Sequence, residues 1–150
     1  MEFDIEDFRL EIILGIVGVL TLIGFFMPWA EAGGITFRGY EFLEGDIVFV
    51  ASWVMIVATM ISYDAFSSRT LDNMRPYLDS GLGAIGGALG LIGSMAFIVS
   101  PPDISTVSTS WGVQLVLVAC AVGIGISFAI FITGGEPSSE PRKKKRSGGL

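Results

Sequence analysis

The side chains that could do chemistry in this chain are few: a single cysteine, Cys120, no histidine, and carboxylates gathered at Glu41, Glu44 and Asp46. Without histidine the commonest general base is missing, and so is the commonest ligand for zinc, copper and haem. Cys120 stands midway along an apolar run with no second cysteine to pair with, and reads as a small polarisable packing residue. Glu41, Glu44 and Asp46 offer the oxygens a hard cation wants, but their spacing matches no calcium loop, and Asp46 is placed to cap a helix. The hydroxyls of Thr21, Ser52, Thr59, Ser94 and Ser127 lie inside apolar segments with no base beside them in sequence. The glycine-rich run Gly83-Ala84-Ile85-Gly86-Gly87 also sits within such a segment, so it reads as packing and not as a phosphate cradle. These residues imply a protein that is not an enzyme and needs no metal or cofactor.

The elements that hold them are four apolar segments, at about 12–30, 47–63, 81–99 and 113–133, in a chain with mean hydropathy +0.68. Each is near the ~20 residues a helix needs to cross a ~30 Å hydrocarbon core. The nine basic residues sort by side. Arg9, then Arg69 and Arg75, then Arg142, Lys143, Lys144, Lys145 and Arg146 occupy the first, third and fifth flanks. Arg38 alone lies on the second and fourth. Lys and Arg accumulate on cytoplasmic flanks, so both termini are expected inside and two loops outside. The expected fold is an all-α membrane protein, a four-transmembrane-helix bundle over residues 1–133 with a small β-hairpin in the first extracellular loop. Residues 134–150 form a disordered basic cytoplasmic tail. Ala30-Glu31-Ala32 fits a signal-cleavage pattern, but the acidic start and long apolar run favour a retained first helix. No ionisable residue falls deep in a span; Glu11, Asp64 and Asp79 are expected at helix ends, which argues against a proton relay.

The third segment is the richest in glycine. Gly83, Gly86, Gly90 and Gly93 make one groove, and Gly83/Gly87 and Gly86/Gly90 are small-xxx-small pairs. The fourth answers with stripes Ala119/Gly123/Ser127 and Ala121/Gly125/Ala129. Between helices in lipid there is no hydrophobic drive, so close backbone approach must hold them. Gly83, Gly86, Gly87, Gly90, Gly93, Ala119, Gly123 and Gly125 are therefore the expected packing residues, joining the third and fourth helices or two subunits. Trp29 and Trp111 are expected at the outer interface, where indole rings prefer to sit, and Trp53 at mid-depth.

Outside the membrane, Ile35, Phe37, Tyr40 and Phe42 alternate with polar residues and are the expected contact surface of the first loop. A tight turn at Gly39-Tyr40 would pair them as a hairpin. The second outer loop, Ser100 to Ser110, reads as a plain connector, and Asp79-Ser80 as a cap for the third helix. Arg142, Lys143, Lys144, Lys145 and Arg146 are placed to bind anionic lipid, at roughly 1 kcal/mol each before screening.

Short inner termini, Trp29 after the first span and a Gly- and aromatic-containing pair of strands from Ile35 to Leu43 resemble the layout of claudin-like and small prokaryotic four-span proteins. The chain lacks the Gly-Leu-Trp and the cysteine pair of the claudin loop. The resemblance implies assembly through the outer hairpin. The expected function is that of a non-enzymatic scaffold or accessory subunit, bound to another membrane protein or to copies of itself and not to nucleic acid. The alternative is an oligomeric channel or carrier for a small or apolar solute, with loss of flux on Gly86→Leu and Gly90→Leu as its sign.

Overall fold

A computed structural model describes residues 10–62, 75–100 and 108–133. Four helices account for most of it: α1 (Leu10–Phe26), α2 (Leu43–Ser62), α3 (Arg75–Val99) and α4 (Trp111–Thr133). Three strands, β1 (Pro28–Ala32), β2 (Ile35–Arg38) and β3 (Ser108–Thr109), form a sheet in the order β2-β1-β3. α2, α3 and α4 are long and apolar enough to cross a membrane. α1 is equally apolar but has 17 residues, about 26 Å at 1.5 Å per residue.

α1 stops short of the expected span for a local reason. Pro28 has no N–H to continue the ladder, and it pushes Met27 towards extended backbone. The Met27 N–H is the last in line, reaching the Ile23 and Gly24 carbonyls at 3.2 Å each. The other helices begin earlier than the hydropathy implied. α2 starts at Leu43, so Asp46 lies within its first turn and not at the cap; a carboxylate there still complements the helix N-terminus. α3 starts at Arg75 with Pro76 in its first turn, where a missing N–H costs nothing. Asp79 and Ser80 are thus buried residues inside α3, not its cap.

The helices run up and down. Along α1 and α2, Gly15 faces Thr59 while Gly18 faces Ile56. Along α2 and α3, Gly86 faces Met55 while Gly93 faces Val48. Along α3 and α4, Gly83 faces Ser127 while Gly90 faces Cys120, and α4 returns to α1 where Gly24 faces Val116. The ring closes, with α1 and α3 on the diagonal, touching where Leu14 meets Gly83. Leu14, Val17, Met55, Val116 and Cys120 fill its centre. Large apolar side chains such as Ile16, Ile23, Ile85, Ile92, Phe128 and Phe131 point outwards. Small residues inside and large apolar ones outside is the arrangement expected of helices packed in lipid.

The sheet closes one end of this ring, and α1 begins and α4 ends at the other. Its hairpin differs from the expected one. The turn is Gly33-Gly34, with φ of 59° and 82°, linking Ala32 to Ile35. Two consecutive positive φ values suit the tight I′ turn and only glycine takes both without strain. Gly39-Tyr40-Glu41 is instead a 3-10 turn, capped where the Arg38 N–H donates to the Glu41 carboxylate at 2.7 Å. Gly39 is small because a Cβ would meet the Trp29 ring at 2.9 Å. The second loop is no plain connector, since Ser108 and Thr109 pair with Glu31 and Ala30. Gly34→Val is expected to lower stability of the cap by about 1–2 kcal/mol, and Gly34→Asn by less, because Asn tolerates left-handed backbone. Amide hydrogen exchange at Ile35 and Phe37 reads the difference.

Candidate association surfaces

The glycines of α3 do two jobs. Gly87 faces Ile124 and the Cys120 carbonyl of α4, whereas Gly86 and Gly93 face Met55 and Glu44 of α2. Gly90 lies between both neighbours, against the Cys120 sulfur and 3.5 Å from the Ala51 Cβ, measured from an added Cβ. The groove is therefore divided between α2 and α4 and is not devoted to α4, because at about 100° per residue Gly86 and Gly93 share a stripe roughly a quarter-turn round the helix from that of Gly83 and Gly87. On α4, Ala119, Gly123 and Ser127 are buried, and an added Cβ on Gly123 would meet Met55 and Val17 at 3.2 Å. Gly125 is different: it is exposed and a Cβ there would meet nothing within 4 Å. It takes no part in packing within this chain.

The hydroxyls inside the bundle are occupied by their own helices. Thr21, Ser94 and Ser127 each donate to the carbonyl four residues back at 2.8 Å, and Ser52 donates to Phe49 at 2.7 Å. Bonded this way, a hydroxyl presents a small, nearly neutral surface to the next helix. Thr59 goes further and donates across to the Glu11 carbonyl of α1 at 3.1 Å. Among the described residues no three of His, Cys, Asp or Glu come together in a way that could hold a metal ion.

At the cap, the four expected contact residues divide into two pairs. Phe37 and Phe42 turn inwards, 6.2 Å apart, and the Phe42 ring packs against Phe97 of α3 with centroids 4.7 Å apart and planes inclined at 60°. Ile35 and Tyr40 remain 62% and 48% exposed. Beneath the sheet lies Trp29, 0% exposed, its Nε1 donating to the Gly24 carbonyl at 2.9 Å and its ring 5.2 Å from Phe97. Trp29 is thus a core residue and not an interface anchor; the sheet folds back over it. Trp111 is 77% exposed, at the sheet end of α4. Trp53 lies on the outward surface of α2 with Phe49 and Val57. The roles of Trp29 and Phe97 were missed because depth along a span says nothing about which way a ring points.

Arg142, Lys143, Lys144, Lys145 and Arg146, the expected headgroup contacts, lie outside the described residues. The acidic N-terminus and the connection from 63 to 74 do as well. Comparison with family models, with curated proteins and with solved structures gives no match to this chain.

Proposed function

We propose that this is a four-pass membrane protein whose work is association. The bundle is its anchor and the sheet its contact surface, engaging another membrane protein or further copies of the chain as a scaffold or accessory subunit. Both termini are cytoplasmic in this reading, with the basic tail against anionic lipid. One observation carries it: the cap is pinned to the bundle from both loops and still displays apolar side chains. Both loops contribute strands to it, Trp29, Phe37 and Phe42 fix it to the bundle, and yet Ile35 and Tyr40 remain exposed. Apolar side chains left exposed on a surface held in place from beneath are what a contact site requires. α1 supports the fourth pass by running beside both α2 and α4, from Gly15 against Thr59 to Gly24 against Val116.

The test is the native mass of the gently extracted particle. The wild-type particle is expected to exceed one 16.0 kDa chain with its detergent, and Ile35→Asp to reduce it to the single chain with unchanged helix content. Ile35 is the cleaner site, since the Tyr40 ring also approaches Phe25 and Phe26, at 6.3 and 6.5 Å. A particle whose mass is indifferent to Ile35→Asp and Tyr40→Asp would place the contact elsewhere.

A further inference from the structure

Resting on that reading of the cap as the contact surface, the partner's chemistry can be narrowed. The sheet order β2-β1-β3 leaves β2 at an edge, paired on one side only, with β1, among the described residues. A free edge offers a row of backbone donors and acceptors, and proteins usually defend it with lysine, proline or a bulge that turns it away. β2 reads Ile-Thr-Phe-Arg, without proline or lysine, its only charge is at the end, and the bulge in its pairing lies opposite, between Pro28 and Ala30 of β1. There the Arg38 N–H is already taken by the Glu41 carboxylate; Ile35 and Phe37 turn their backbone groups towards Ala32 and Ala30 of β1, so the pair on offer is the N–H and C=O of Thr36.

Side chains alternate across a strand, which fixes what would suit each face. Ile35 and Phe37 share one face; Thr36 shares the other with its cross-strand neighbour Glu31, which is exposed. The surroundings are acidic: Glu31, Glu41, Glu44 and Asp46 stand against the lone cation Arg38 among the described residues of the cap. We propose that the free edge of β2 takes up an extended segment of a partner protein in which apolar and basic residues alternate. Added as a fourth strand, the segment would set its apolar residues beside Ile35 and Phe37 and its cations on the Glu31 face. Backbone bonds supply the attachment and the alternation supplies the choice of partner. Charge disfavours a second copy of this chain, because pairing two β2 edges brings two acidic caps together.

The full chain in lipid nanodiscs is titrated with short synthetic peptides that alternate valine with lysine, or valine with glutamate. The lysine peptide is expected to bind and the glutamate peptide not to. N-methylation of alternate residues blocks one edge of the peptide at a time, and blocking the edge that faces β2 should weaken binding about tenfold while the other edge is tolerant. Glu31→Lys on the protein should weaken the lysine peptide and not disturb the fold, since its side chain is exposed. Equal binding of both peptides, or indifference to both methylation patterns, overturns the inference. If no peptide binds while Ile35→Asp still breaks up the native particle, edge addition is wrong and the contact surface stands. If the particle is also indifferent to Ile35→Asp, the reading of the cap falls with it.

Discussion

Gly90→Leu is expected to prevent the bundle from forming, while Gly125→Leu, on the neighbouring helix α4, leaves it intact. The two glycines were equal candidates by sequence, and their surroundings separate them. Gly90 is buried where α3 is squeezed between α2 and α4; an added Cβ would run into the Cys120 sulfur, with the Cys120 Cβ at 3.4 Å and Ala51 at 3.5 Å. The sulfur has little room to retreat, since Cys120 is fully buried and lies 3.9 Å from the Thr21 hydroxyl. Gly90→Ala is the graded version. It gains up to about 1 kcal/mol of helix propensity, but overpacking of this kind costs about 1–3 kcal/mol. The net effect in the wild-type chain is therefore expected to be destabilising. Cys120→Ala removes the offending atom, so Gly90→Ala should become neutral or favourable in that background. The coupling should be about 1–2 kcal/mol, measured as a double-mutant cycle by reversible unfolding in bicelles. Additivity of the two substitutions would show that this contact does not limit helix approach. The same geometry removes Gly86→Leu and Gly90→Leu as probes of solute flux, because both would report on folding before they reported on any pore.

Three spans could be read from hydropathy because twenty apolar residues leave a chain few other options. Glycine density pointed to close helix contact as a kind of packing. What could not be read was direction. Gly86 and Gly87 are neighbours in sequence yet face different helices, and the stripes Ala119/Gly123 and Ala121/Gly125 are chemically alike although only the first faces inwards. A helix with apolar residues on every side carries no periodic mark of its buried face. The cap was less legible still. The turn was expected at Gly39-Tyr40, but it falls at Gly33-Gly34, while Gly39 is packed against Trp29 and the Phe25 carbonyl. Ser108-Thr109 is too short to announce a strand, and pairs only because β1 is already positioned beside it.

Trp29→Ala is expected to cost about 3–5 kcal/mol, the range for emptying a buried tryptophan site, and to fall almost wholly on the cap. The indole is fully buried at the junction of sheet and bundle, with Phe97 on its face and Gly39 and Gly112 close on its edges, at 2.9 Å from an added Cβ in each case. Those two glycines belong to the 3-10 turn and to the start of α4, so the ring links both loops to the helix ends. Its Nε1 also satisfies the Gly24 carbonyl in the last turn of α1, where helix carbonyls lack intrahelical donors. Trp29→Phe should be milder, because most of the packing survives and the Gly24 carbonyl keeps the Met27 N–H at 3.2 Å; about 0.5–1.5 kcal/mol covers the lost hydrogen bond. Hydrogen exchange locates the damage: in Trp29→Ala the amides of Ala30, Glu31 and Phe37 should lose protection, while those around Gly86 and Gly123 keep theirs. A uniform loss across the bundle would mean that the cap and helices fold as one unit and that the sheet is not a separable platform. If the loss is local, Trp29→Ala becomes a test of association that leaves Ile35 untouched. A contact that depends on a fixed sheet must then weaken although every exposed residue of its surface is still present.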